Sequence, residues 1–277
     1  MKAMLRIEMK RAIINKKLLI ALLFGSIISF YQLYLYQKVG NTNEMYDMAV
    51  AYGKDTMTLP DYLWGAWLGG DTMLFNGFLF FLIIPLLAAF PYANSYMLDE
   101  KDGYLTSVFT RTNKKYYFIS KWLATFCSGG VAIVLPLALN FLMMSTRYSS
   151  MGPFTESSQS MVVEASTMSG LFFRSPFIYI IVFHSIIFIF SGLYATCSLL
   201  VAFFTDYSFI ILAFPFLIII FLSTVLEFFG LSYLSPQEFL FPAQAKTSMA
   251  LILGEMLFLF LISFVSYIFY GVRGAYE

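Results

Sequence analysis

Residues 176–204 read PFIYIIVFHSIIFIFSGLYATCSLLVAFF, an unbroken run without Asp, Glu, Lys or Arg. As a helix it exceeds the roughly 20 residues that cross ~30 Å of hydrocarbon. Five more apolar stretches fall at about 18–36, 72–96, 122–144, 209–228 and 247–271, each of about that length. The chain of 277 residues is 60% hydrophobic and only 12% charged, against roughly 25% charged in an average soluble domain. The sequence therefore predicts an all-α polytopic membrane protein with six transmembrane helices. The longest polar stretches, near 37–71 and 145–175, are too short for an ordinary independent domain, so residues 1–277 form one integral domain.

If all six stretches cross, Lys2, Arg6, Lys10, Arg11, Lys16, Lys17, Lys101, Arg111, Lys114, Lys115, Lys121 and Arg273 share one face, and Lys38, Lys54, Arg147, Arg174 and Lys246 the other. Twelve against five places both termini in the cytoplasm by the positive-inside rule. Glu44, Asp47, Asp55, Asp61 and Asp71 gather in the first outer loop, to which that rule gives little weight. The net charge of +1 makes no case for nucleic acid.

The basic start followed by Leu18–Phe30 resembles a secretory signal, but no small-x-small cleavage pattern follows, and Tyr31, Leu33, Tyr34 and Tyr36 extend the run to spanning length. Within residues 1–17, Leu5, Met9, Ala12 and Ile13 recur at helical spacing beside Lys2, Arg6, Lys10 and Lys17. That pattern reads either as an interfacial helix on an anionic leaflet or as a plain basic flank fixing orientation, and Glu8 speaks against the first. Tyr62, Trp64 and Trp67 precede the second span and predict an interfacial belt or a short helix lying on the outer surface, in preference to an aromatic ligand cage. Pro85, Pro91, Pro136 and Pro215 predict bent spans.

The segment Leu98–Lys121, LDEKDGYLTSVFTRTNKKYYFISK, is the densest polar stretch. Asp99, Glu100 and Asp102 lead, Leu105, Val108 and Phe109 follow at i, i+3 and i+4, and Arg111, Lys114 and Lys115 close it, an order that suits the dipole of a short helix. The segment reads either as a docking element whose apolar knob a partner receives, or as a solvated loop that fixes topology by its charges. Its shortness, with one glycine and no proline between Tyr96 and Trp122, fits a rigid transmitter of movement.

With its basic N-terminal segment, six spans, and an acid-Gly-apolar-basic loop ending in Lys121, the whole chain resembles the membrane subunit of a type-2 ATP-binding-cassette export permease. The resemblance implies an N-terminal elbow helix at the interface and a cytoplasmic coupling helix between spans 2 and 3. By position, Asp99, Glu100, Gly103, Leu105, Val108, Phe109 and Arg111 are its implied contacts with a separate cytoplasmic ATPase. Members often carry a proline after the apolar part of this loop, where Arg111 and Thr112 stand here. The resemblance further implies two ATPase copies holding ATP and Mg, a second permease copy or homologue, and a bacterial cytoplasmic membrane.

No G-x-x-x-x-G-K-[ST] occurs, and Gly53-Lys54 runs into Asp55 without the upstream glycine, so this chain supplies no P-loop. Neither H-E-x-x-H nor G-x-S-x-G is present, and a single histidine excludes a multi-histidine zinc site. Cys127 and Cys197 read as small buried apolar residues. No catalytic residue, bound cofactor or metal is expected.

Glu255, His184 and Glu227 are ionisable at predicted membrane depth, all in the outer half. Such residues usually face a bundle interior or a watery cavity. They are candidates for the lining of a translocation path, Glu255 foremost with His184 as its partner, or else groups that merely tie helices together. Short outer loops and spans rich in Phe and Met favour an amphipathic or hydrophobic cargo, a small toxin or antimicrobial peptide first and a drug or lipid second. An ion-coupled carrier using Glu255 and His184 as a relay is the alternative, against which stand a single mid-span carboxylate and no evident duplicated half. A membrane protein that binds a peptide for immunity without moving it is a third reading.

Overall fold

The computed structural model describes residues 1–40, 63–70, 75–150, 152–153, 162, 164, 166–235, 237, 240–241 and 247–274. The acidic residues of the first outer loop, Tyr62, the Gly53-Lys54-Asp55 stretch, Lys246 and the predicted start of the second span at Thr72 lie outside the described residues. The order is α1 (Lys2–Ile13), α2 (Lys16–Gly40), α3 (Leu63–Ala66), α4 (Phe75–Ala89), α5 (Ser95–Lys101), α6 (Tyr104–Phe109), α7 (Lys114–Ser145), α8 (Ser169–Arg174), α9 (Pro176–Val201), α10 (Ser208–Phe228), a 3-10 turn at Ser232–Leu234 and α11 (Met249–Gly274).

Among the described residues, five helices are long and apolar enough to cross a membrane: Lys16–Gln37 within α2, all of α7, α9 and α10, and Met249–Val272 within α11. The chain is an all-helical multi-pass membrane protein. The stretch predicted over 72–96 differs. Its helix α4 stops at Ala89 after 15 residues, about 22 Å, and turns through 90–94 before α5 begins. Pro91 is the physical reason: it has no N–H to continue the ladder. Asn15 recovers its carbonyl, donating Nδ2 to Pro91 O at 2.9 Å.

The third predicted span is longer than its apolar core. α7 runs 32 residues, about 48 Å, so its first two turns extend past the hydrocarbon and carry Lys114, Lys115 and Tyr117. Asn113 caps it, its Oδ1 accepting from the Lys115 N–H at 3.0 Å. α7 and α9 form the spine of the bundle, with α2, α4, α10 and α11 against one or both. Their approach needs Gly129: a Cβ there would stand 2.6 Å from Ala195 Cβ and 3.1 Å from the Ser191 carbonyl. Small residues let membrane helices meet closely enough for dispersion to act.

Candidate functional site

The densest chemistry lies at the end of the bundle that carries the N-terminus, in a cluster tying α1, α5 and α7 together. Helix α1 buries Met4, Glu8 and Ala12, an i, i+4, i+8 stripe, while Leu5 and Met9 only flank it and Ile13 is exposed. The buried stripe is therefore centred on Glu8, the residue that spoke against an interfacial helix in the sequence. A carboxylate there is tolerable only with partners, and it has several. Tyr92 donates its hydroxyl to Glu8 Oε2 at 2.6 Å, Lys121 Nζ lies 3.2 Å from the same oxygen, and Arg11 Nη1 donates to Oε1 at 3.0 Å.

Asp99, from α5, completes the cluster. Arg11 grips it with both guanidinium nitrogens, Nη2 to Oδ1 at 2.5 Å and Nη1 to Oδ2 at 3.2 Å; Tyr117 donates to Oδ2 at 2.7 Å, and Lys121 Nζ reaches the same oxygen. The Lys121 ammonium also lies over the Tyr92 and Tyr117 rings, and Arg11 over Tyr104. Two carboxylates and two cations make the cluster neutral. Glu8 and Lys121 are fully buried and Asp99 is 2% exposed, whereas Arg11 keeps 37% of its side-chain surface. Burial works against charge on Asp99, but the hydrogen bond from Arg11 and the charge of Lys121 outweigh it and hold the carboxyl below its usual range. Burial likewise disfavours the Arg11 charge, and Asp99 more than offsets it, so the guanidinium stays charged.

Asp99, expected to meet a partner, thus sits under the surface rather than on it. The rest of that segment divides. Val108 is buried; Leu105 and Phe109 are half-buried against the core, Phe109 packing on Tyr117 and Phe118 at 5.7 and 6.1 Å between ring centroids. The apolar set is mostly absorbed within the chain. Glu100, Gly103 and Arg111 are exposed, together with Thr106, Ser107 and Thr110. Instead of one helix there are two, α5 and α6, joined at Gly103 with φ +67°, a left-handed conformation glycine adopts without strain. Lys101 donates to the Asp206 carbonyl at 2.9 Å, so the tight turn after α9 is fastened to this element.

At the opposite end the structure corrects the reading of the tryptophans. Trp64 and Trp67 are each 1% exposed. Residues Leu63–Gly70 are all buried and plug the bundle instead of lying on it. Trp64 stacks edge-on against Phe177 at 4.9 Å and Trp67 against Phe183 at 5.8 Å. The plug's backbone would be orphaned there without side-chain amides from the spans. Asn140 Oδ1 accepts from Leu68 N at 2.9 Å, Gln32 Nε2 donates to Ala66 O at 3.3 Å, and Tyr36 donates to Gly65 O at 3.1 Å. Asn76 in turn donates to Gln32, and Asn140 Nδ2 to Ser29 O. Sequence reasoning passed over these amides, although an Asn or Gln inside an apolar run signals a required partner.

The path candidates come apart. The His184 ring stacks on Trp67 at 5.7 Å, its Nδ1 2.8 Å from Ile180 O. Glu255 lies within electrostatic reach of Tyr194, ten residues further along α9, and its Oε2 has no hydrogen-bond partner among the described residues. No hydrogen bond or ion pair joins Glu255 to His184 among the described residues. Glu227 is exposed at the end of α10, where its carbonyl accepts from Gly230 N. Cys127 and Cys197 are free thiols, and the described residues hold no group of His, Cys, Asp or Glu that could bind a metal.

These features define a multi-pass helical membrane protein whose N-terminal helix is fixed by buried charge. Compared with known proteins, the chain matches no family model, no curated protein and no solved structure.

Proposed function

We propose that this chain is the membrane subunit of an ATP-driven exporter of the ATP-binding-cassette type, powered by a separate cytoplasmic ATPase that docks on α5 and α6. The observation that carries the reading is the Glu8–Arg11–Asp99–Lys121 cluster. It locks the short element 95–113, exposed only at Leu98, residues 100–103, Thr106, Ser107, Thr110, Arg111 and Asn113, to α1 and to the base of α7, so a push on Glu100, Gly103 or Arg111 is delivered to a spanning helix without slack. The lever arm is α7, which runs from that cluster to the amide network under the plug. A solvated loop that only fixed topology by charge would need no such internal fastening.

In this reading ATP and Mg sit on the partner, in two copies, and a second permease copy or homologue completes the unit. Both termini face the cytoplasm of a bacterial cell, with α4 and its flanking turns supplying the second crossing. The cargo is amphipathic or hydrophobic, a small peptide first.

The test is co-purification from the native membrane with a P-loop ATPase, together with cross-linking of that ATPase to Ser107→Cys, a position exposed on α6. Export should stop when the ATPase's phosphate-binding Lys is replaced. Export that persists would instead establish an ion-coupled carrier, and labelling that places Ser107→Cys outside the cell would end the proposal.

A further inference from the structure

Helices α9, α10 and α11 surround a cavity of about 510 Å³ that is almost wholly apolar. On α11 its wall is Phe258, Leu259, Ile262, Ser266 and Tyr270, a single helical face about 18 Å long. Glu255 stands on that same face, three and four residues before Phe258 and Leu259, and therefore one turn beyond the end of the cavity that lies deepest in the bilayer. A second observation puts it there independently. Tyr194, which lines the deep end from α9, lies within electrostatic reach of Glu255, while Phe204 and Tyr270 meet at the other end.

The Glu255 carboxylate makes no hydrogen bond or ion pair among the described residues, and its Oε2 is buried. The side chain as a whole is only half-buried, so it is not sealed away from the cavity. None of α9, α10 and α11 carries a Lys or Arg before Arg273, which follows 18 residues and ~27 Å later on α11. A carboxylate at membrane depth is costly without a counter-charge, and these helices supply none. The cavity itself favours positive charge, because Tyr194, Phe204, Phe214, Phe258 and Tyr270 all line it and aromatic faces attract cations. Its volume falls among those of pockets that hold small organic ligands, roughly 300–1,000 Å³. Phe214, Ile218, Leu222, Phe258 and Ile262 are 37–59% exposed on the flank of the bundle, so entry is sideways from the hydrocarbon.

We propose that this cavity binds a hydrophobic organic cation taken laterally from the bilayer, its apolar groups between α10 and α11 and its positive charge against Glu255. The position of the carboxylate selects the ligand. A phospholipid keeps its head at the bilayer surface, so a tail in the cavity leaves Glu255 unpaired. A cation whose charge is shielded by apolar groups reaches the deep end and supplies the missing partner. An anion of the same shape meets a like charge there. The site concerns this chain alone and holds with or without a partner ATPase, so failure of either reading leaves the other standing.

The test uses the purified full chain in detergent with tetraphenylphosphonium and tetraphenylborate, ions of matched shape and opposite charge, each titrated separately by equilibrium dialysis against protein-free micelles. The wild-type chain should bind tetraphenylphosphonium. Glu255→Gln, which breaks no hydrogen bond, should keep its thermal midpoint, weaken tetraphenylphosphonium at least about tenfold and leave tetraphenylborate no weaker. Ser266→Phe and Leu222→Trp, which bring a ring to the cavity from α11 and α10, should each weaken tetraphenylphosphonium. No binding by the wild type would overturn the site. Unchanged tetraphenylphosphonium affinity in Glu255→Gln would overturn it in favour of a slot for lipid tails, and equal weakening of both ions by that variant would reduce it to a packing effect. Binding indifferent to both ring-bearing variants would place the cation elsewhere and overturn it as well.

Discussion

The two ends of the bundle hold a non-spanning segment in place by opposite means. At one end α1 is fixed by four charged side chains; at the other, residues 63–70 are fixed by the neutral amides of Gln32 and Asn140, with Asn76 behind them. The difference follows from access to water. Arg11 keeps a third of its surface exposed, so the charge cluster has one solvated member at the membrane boundary. The plug lies among Trp, Phe and fully buried amides, where an ion would cost several kcal/mol and a carboxamide satisfies a backbone group at far less. Charge serves where a partner is guaranteed and water is near; amides serve where neither holds.

The comparison is broken most severely by removing one charge. Lys121→Met leaves Glu8 and Asp99 buried with one cation between them and should cost about 3–5 kcal/mol, seen as a large fall in thermal midpoint in detergent and as proteolysis within residues 1–17. Adding Glu8→Gln to that variant should recover part of the loss, because the charge count is restored. If the double variant is no more stable than Lys121→Met alone, the cluster is not an electrostatic unit.

At the other end the expected effect is smaller. Asn140→Leu orphans the Leu68 N–H and should cost about 1–3 kcal/mol. In a background lacking Cys127 and Cys197, Leu68→Cys should then gain reactivity toward a membrane-impermeant thiol reagent. Unchanged protection would show that the tryptophans, not the amides, retain the plug.

Acid separates the two ends without mutation. The Asp99 pKa is depressed in the folded protein, so its stabilisation is complete above the ordinary carboxylate range, about pH 4, and is lost as pH falls through the depressed value. Release of α1, followed by proteolysis or hydrogen exchange of residues 1–17, should therefore begin only below about pH 4. Protection of residues 63–70 should not change over the same range, since carboxamides do not titrate.

Gly103→Ala should cost about 1 kcal/mol through backbone strain alone, since a Cβ there meets no atom within 4 Å. The least effect belongs to Lys101→Ala. Its 3.8 Å pairing with Asp206 and its bond to the Asp206 carbonyl are exposed and together are worth under about 1 kcal/mol, a shift of the thermal midpoint that should shrink at high salt.

The spans were legible because hydropathy is a local property: 18–36, 122–144, 176–204, 209–228 and 247–271 each carry their own signal and each corresponds to a long helix. Pro91 lay within the predicted 72–96 run, yet the break at Ala89 follows from it directly. The charge cluster was not legible. Glu8 is paired with Lys121, 113 residues away, and Asp99 with Arg11, 88 residues away, and a lone Glu among basic residues looks like a flaw until its partners are known. The tryptophans misled for a related reason. An indole favours the interface by default, and the Asn140 and Gln32 amides that satisfy the backbone beside the two tryptophans come from distant helices.

What the sequence determined by itself was the medium and the material: a helical chain whose apolar runs must leave water, with basic residues concentrated between particular runs. What the tertiary structure alone decided was which polar residues face one another. Glu8, Arg11, Asp99 and Lys121 become a neutral unit, and Glu255 and His184 do not become a pair. Burial of a single polar group is unfavourable wherever it stands in the chain, and only three-dimensional packing supplies the partner that reverses its sign.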